Sequence, residues 1–141
     1  MKKKYLYDII IGNHSFEVYI EMAIHESGEM YLEAILVLKK EAPVVRAIDI
    51  VNHTGYSKPS VSRALSILKK NEYVIVDENG YISFTPKGEK HAITVYERHQ
   101  ALTALLKKIG VSQEAAEEDA CKMEHVISDE TFRAIQEFLK K

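Results

Sequence analysis

The chain has 141 residues, 46% of them apolar, enough for one compact core or two small linked ones. A formal net charge of −2 with 28% charged residues excludes a globally basic nucleic-acid binder, so any DNA contact must be local. The single cysteine excludes an internal disulfide and leaves Cys121 as inert packing, a reactive thiol or a metal ligand.

Met1-Lys-Lys-Lys4 resembles the charged start of a signal peptide, but the apolar stretch after it is short and carries Asp8, so neither export nor a membrane span is expected. Residues 1–26 read as an N-terminal extension, a short helix or irregular segment, with Met22 a candidate natural start. Ser27 is then expected to cap a helix through Lys40, with Tyr31, Ala34, Ile35 and Leu38 at helical spacing and Glu29 in its first turn. Met30 and Glu33 are neighbours on that helix, where an isolated methionine is ordinarily core filler.

Pro43 breaks the helix, and Arg46 to His53 form a short second one with Ala47, Ile50 and Val51 inward. Gly55 suits a tight turn, Ser57 caps a third helix, and Pro59 is tolerated in its first turn. In this third helix Val61, Ala64, Leu65 and Leu68 share one face, while Lys58, Ser62, Arg63 and Lys69 look outward. Helix, glycine turn and helix is the helix-turn-helix arrangement. Tyr73–Val76 and Tyr81–Phe84 flank Asn79-Gly80, a hairpin signal, so the hairpin reads as the wing of a winged helix. From Lys39 to Lys87 there are eight basic and five acidic residues, a balance of +3, whereas from Ser112 onward four basic face eight acidic, a balance of −4. The asymmetry separates a DNA-reading half from a metal-binding half.

Thr85-Pro86 starts a long helix to about Ile109, with Ala92, Val95, Tyr96, His99, Leu102, Leu105 and Leu106 as its apolar stripe. A lone histidine in such a stripe is usually a satisfied core residue. Ser112 caps a helix expected to carry Cys121, Glu124 and His125 on one face, a thiolate, carboxylate and imidazole set suited to a divalent transition metal and too soft for magnesium or calcium. The bland alternative is a buried free thiol beside two surface polar residues, and the spacing alone favours it. Ser128-Asp129 opens a last helix through Lys140, whose stripe Phe132, Ile135, Phe138 and Leu139 suits a homodimer interface. The expected fold is mainly α with a small β-hairpin wing: a winged helix-turn-helix over 27–88, then a helical metal-binding and dimerisation domain over 89–141.

Four separated motifs stand in a telling order: Glu29-Met30-Tyr31-Leu32-Glu33, Ser57-Lys-Pro-Ser-Val-Ser62, Tyr96-Glu-Arg-His99, and Glu118-Asp-Ala-Cys121-Lys-Met-Glu124-His125-Val-Ile-Ser-Asp129. Over about residues 25 to 141 the chain resembles the diphtheria-toxin-repressor family of iron- and manganese-dependent transcriptional repressors, in its short form without the SH3-like third domain. The resemblance implies that Met30, Cys121, Glu124 and His125 bind an activating metal and that His99 matches a second-site ligand. Glu33 matches a carboxylate of the manganese-responsive branch, whereas Met30 and Cys121 match the iron-responsive branch. Glu117 stands where an iron-type member has histidine, and Thr103 where one second-site carboxylate is expected.

The implied function is a cytoplasmic, metal-dependent repressor of metal-ion homeostasis. It binds double-stranded operator DNA as a homodimer, takes a divalent metal as corepressor, and has neither a membrane partner nor a small organic substrate. Fe(II) is favoured by the soft sulfur donors, with Mn(II) kept open by Glu33 and Glu124. Ser57, Lys58, Pro59, Ser60, Ser62 and Arg63 are the expected DNA-contacting residues, with Ser57, Ser60 and the helix N-terminus on phosphates and Ser62 and Arg63 on base edges. An enzyme is not expected, because a second nucleophile and an oxyanion-type glycine loop are both missing from the sequence. The competing reading is a winged-helix regulator that answers an organic ligand or a redox signal through Cys121 without metal.

Overall fold

The computed structural model describes residues 15–141, with side chains from Glu26 onward. The element order is α1 (Ser15–Glu41), α2 (Ala47–Thr54), α3 (Lys58–Lys70), β1 (Val74–Val76), β2 (Ile82–Phe84), α4 (Pro86–Lys108), α5 (Gln113–Met123) and α6 (Asp129–Leu139). Ser27 does not cap a helix: α1 runs through it from Ser15, so the expected break before Ser27 is absent. Residues 1–14 of the expected extension lie outside the described residues. At the other end α1 stops at Glu41, just before Pro43, as its residues predict.

The later helix starts follow their local chemistry closely. Ser57, Thr85, Ser112 and Ser128 are each N-caps whose side chains accept from a backbone N–H three residues on, and Pro59 and Pro86 sit in the first turns of α3 and α4. Arg46 caps α2, with Asp49 accepting from the Arg46 backbone N–H at 2.7 Å. Gly55 ends α2 at φ 73°, the left-handed conformation its position requires. β1 and β2 pair antiparallel in the register Val74 with Phe84, Ile75 with Ser83 and Val76 with Ile82. Asp77 organises the turn between them by accepting from the N–H groups of Asn79 and Tyr81, both at 2.9 Å. Ile82 N–H donates to the Val45 carbonyl at 2.8 Å, tying the wing to the segment before α2.

One core lies under the helix-turn-helix and wing, built from Tyr31, Leu32 and Ile35 of α1 with Val45, Ile50, Val61, Leu65, Leu68, Val74, Ile82 and Ala92. Ala47, expected inward on α2, is exposed, and Ile50 alone of that helix is fully buried. Farther along α4, Val95 and Leu102 are buried, as are Ala116 and Ala120 of α5 and Phe132 of α6. Helix α4 packs on α1 as well as on α5 and α6, whereas α1 and α5 share little direct packing. The last stripe is only partly covered: Phe138 is 46% exposed. Among the described residues no helix is long and apolar enough to cross a membrane.

Gly88, in the first turn of α4, approaches the Tyr73 carbonyl so closely that a Cβ there would lie 1.8 Å from the oxygen. Gly88→Ala should therefore destabilise the fold by about 1–3 kcal/mol in a denaturant titration, the usual cost of overpacking against a backbone that cannot yield. An unchanged midpoint would show that the wing and α4 are not locked together there.

Candidate metal centre and nucleic-acid interface

The exposed face of the helix-turn-helix is built at the N-terminus of α3. Ser57 accepts from Ser60 N–H at 3.3 Å and donates its hydroxyl to Ser60 Oγ at 2.8 Å, so both serines sit at the positive end of the helix with Lys58 and Pro59 beside them. Lys58, Ser62 and Arg63 are exposed on the same helix. The sequence places these six residues together and the fold keeps them at one end of the helix, mostly facing solvent.

The metal-type residues converge behind that face, between α1, α4 and the turn after α5. The helix expected to carry Cys121, Glu124 and His125 ends sooner: Met123 is its last residue, Glu124 is the C-cap, and His125 lies in the turn beyond. Glu124 is fully buried, the single polar residue in that condition among the described residues. Its Oε2 accepts from His99 Nδ1 at 2.7 Å, and Glu33 of α1 lies 4.0 Å from the same nitrogen. Donor atoms of Glu33, His99 and Glu124 all fall within 4.8 Å of one another, close enough for one cation.

His125 extends this cluster. Its Nδ1 donates to Glu29 Oε2 at 2.8 Å, which leaves Nε2 as the neutral ring's lone-pair atom. That Nε2 lies 3.3 Å from Glu124 Oε1, and neither atom has a hydrogen-bond partner although both are buried. With Nε2 unprotonated, the two buried lone-pair atoms repel at this distance; either a proton on Nε2 or a metal cation between them relieves it. The donor chemistry therefore fits a divalent cation held by Glu33, His99, Glu124 and His125.

Met30 and Cys121 are brought to the edge of the same cluster. They line a cavity of about 240 Å³ together with Glu33, His53 and Tyr56, so Glu33 belongs to the oxygen–nitrogen cluster and also lines the cavity that holds the sulfur pair. Cys121 is exposed, against the bland reading of a buried thiol, and its pKa is raised by partial burial and by the charges of Glu124 and Glu33. Glu117 lines a second cavity of about 420 Å³ with Glu33, His99 and Thr103, whose buried hydroxyl lacks a partner. Of the seven expected ligand residues, Glu33, His99 and Glu124 converge, His125 adjoins Glu124, and Met30, Cys121 and Glu117 line two cavities that share Glu33.

Three residues that sequence reasoning left without a role hold this region in place. Glu29 orients His125 and also accepts from His91 Nε2 at 2.8 Å, so α1, α4 and the final turn meet at one carboxylate. Its trace in the sequence was the Glu29/Glu33 pair one turn apart, like charges that repel on a helix face unless cations lie near them. His91 likewise shares a face with Val95 and His99. Arg98 of α4 donates to the Ile127 carbonyl at 2.7 Å and pairs with Asp129, clamping the turn that presents Glu124 and His125.

Protonation follows from this crowding. Burial pushes the Glu33 carboxyl up to about 8, helped by the hydrogen bond and charge of Glu124 and opposed by His99. The Glu124 hydrogen bond raises His99 against the cost of its burial. Burial also works against a charged His125, but Glu29 and the neighbouring carboxylates outweigh it and the net shift is upward.

Comparison with known proteins matches both halves. Residues 23–82 match the iron dependent repressor N-terminal DNA binding domain, and residues 85–141 the iron dependent repressor metal binding and dimerisation domain. A transcriptional regulator MntR of Escherichia coli O157:H7 is 35% identical over 79% of this chain and 72% of its own length. The chain belongs to the iron-dependent repressor family. The diphtheria toxin repressor of Corynebacterium glutamicum is 32% identical over 81% of this chain, which spans 50% of that relative. Among solved structures, that of T. acidophilum IdeR superposes with a TM-score of 0.68 at 27% identity, covering 80% of this chain and 54% of that one. The manganese regulator SloR, at 24% identity, shares the fold with a TM-score of 0.72 over 80% of this chain and 53% of its own. Membership of this repressor family agrees with the resemblance seen in the four motifs.

Two expectations follow. Glu33, His99 and His125 all have folded pKa values above their unfolded ones, so these three groups favour the folded metal-free protein at acid pH; their contribution is lost as pH rises, for Glu33 from near its ordinary 4.5 through about 8. Thermal melts in chelator across this range should fall with pH, and Glu33→Gln should flatten the profile; a profile rising with pH would contradict the assignment. Glu29→Gln should weaken divalent-metal binding about 10- to 100-fold by loosening His125, measured by chelator competition.

Proposed function

We propose that this member of the iron-dependent repressor family is a divalent-metal-activated DNA-binding repressor that works in the cytoplasm as a homodimer. The observation that carries the reading is the buried pair of partnerless atoms, Glu124 Oε1 and His125 Nε2, in a cluster that joins the DNA-reading half to the C-terminal half. The residues that would hold the ion are Glu33, His99, Glu124 and His125, with Met30 and Cys121 as adjoining sulfur donors and Glu117 beside a second position. Bound there, a divalent ion supplies the positive charge that these carboxylates and the imidazole lone pair lack.

The chain's own residues do the rest. Met30 and Glu33 belong to α1, which packs under the helix-turn-helix, whereas Cys121, Glu124 and His125 belong to α5 and its following turn. Helix α4 packs against both α1 and α5, and because α1 and α5 share little direct packing these side chains form a second, ionisable link between the halves. Fixing that link fixes the recognition helices of a dimer, which must lie about 34–36 Å apart to enter successive major grooves. Ordering through such a link is worth about 1–3 kcal/mol of coupling, and by reciprocity DNA tightens the ion equally. Ser57, Ser60, Lys58 and Pro59 would sit at phosphates, and Ser62 and Arg63 at base edges. The half-covered stripe of Ile135, Phe138 and Leu139 supports a homodimer interface.

On metal identity, the set that converges within 4.8 Å is all oxygen and nitrogen, which suits Mn(II), while the adjoining thioether and thiol suit Fe(II). The sequence favoured Fe(II); the convergence supports Mn(II) at least equally. Cys121→Ala should separate the two by weakening Fe(II) or Co(II) binding more than Mn(II). In fluorescence anisotropy with operator DNA, His125→Ala should abolish the metal-dependent gain in affinity. Undiminished binding of the wild-type protein in chelator would overturn the reading.

A further inference from the structure

Tyr56 joins the turn of the helix-turn-helix to the thioether of Met30. Its hydroxyl donates to the Met30 sulfur across 3.7 Å. A thioether is a weak acceptor, and Tyr56 is 42% exposed with water at hand, yet the hydroxyl is directed onto the sulfur. The ring is held in that direction by Tyr31, buried in the core beneath it, with centroids 5.8 Å apart and planes tilted by 57°.

The backbone of Tyr56 is fixed equally well. Its N–H donates to Thr54 Oγ1, which donates in turn to the Ile50 carbonyl at 2.7 Å, and the next residue is Ser57, the cap of α3. One side chain therefore spans the distance from the start of the recognition helix to the sulfur beside Glu33 and Cys121, and it lines the cavity those residues share.

We propose that Tyr56 is a positioning residue for the metal site, and the side chain through which Met30 and the recognition helix sense each other. The hydroxyl occupies one sulfur lone pair and restrains the flexible methionine, leaving the second lone pair for an ion. Ordering Met30 on an ion then steadies the turn ahead of α3, and ordering that turn on DNA steadies Met30. The inference rests on Met30 being a ligand.

The test is a double-variant cycle on the full chain with Tyr56→Phe, Met30→Leu and both together. Phenylalanine keeps the ring on Tyr31 and removes only the hydroxyl. Mn(II) affinity is measured by chelator competition, alone and with a duplex recovered from a randomised library by selection in Mn(II). In the wild-type protein the duplex should tighten Mn(II) binding; Tyr56→Phe should shrink that tightening about fivefold, and the double variant should lose no more than Met30→Leu alone. Equal weakening of DNA binding by Tyr56→Phe in Mn(II) and in chelator would make Tyr56 a plain DNA or fold residue, and additive losses would show that it does not act through Met30; either result overturns the proposal. Wild-type Mn(II) affinity and coupling in Met30→Leu would remove the ligand reading itself, and this inference with it.

Discussion

The buried carboxylate of Glu124 is the constraint on which the arrangement depends. Moving a carboxylate out of water costs several kcal/mol unless charge and hydrogen bonds replace the lost hydration. Here the replacement comes from His99 on one oxygen, while the other lies 3.3 Å from Nε2 of His125. Around this group the chain sets a raised carboxyl at Glu33, a histidine oriented by Glu29, and a turn clamped by Arg98. Each would be an expense in an ordinary core, and together they describe a pocket shaped for a cation.

Placement at the junction of two halves turns that electrostatic problem into a control point. The apolar core under the helix-turn-helix is complete without the C-terminal half except for α4, which serves both. Contacts between α1 and the α5 turn are thus dominated by ionisable side chains rather than by apolar packing. Such contacts respond strongly to protons and cations, whereas buried aliphatic surface does not. Burial and the neighbouring Glu124 carboxylate make Glu33 hold its proton well above the usual carboxylate range.

Much of the fold was legible because its signals are local. Ser57, Thr85, Ser112 and Ser128 cap helices through hydrogen bonds three residues away, and Gly55 and Gly80 take the positive φ their turns demand. Ser27 misled for the opposite reason: it and Gly28 lie within α1, where Gly28 faces Leu68 of α3, so tertiary packing overrides their weak helix preference. Motif order singled out the residues that gather around Glu33, but the geometry of Glu124 and His125 beyond the end of α5 was not legible. Glu29, His91 and Arg98 escaped because their partners lie 96, 62 and 29 residues away, distances over which spacing carries no message.

The central claim is that one cation is gripped by α1 and by the C-terminal half at once. Anomalous scattering from crystals grown with Mn(II) tests it most directly. The account predicts a strong peak within coordination distance of Glu124 and His125 on one side and of Glu33 or Met30 on the other. A peak contacting only residues after Pro86, with Met30 and Glu33 turned away, would contradict it.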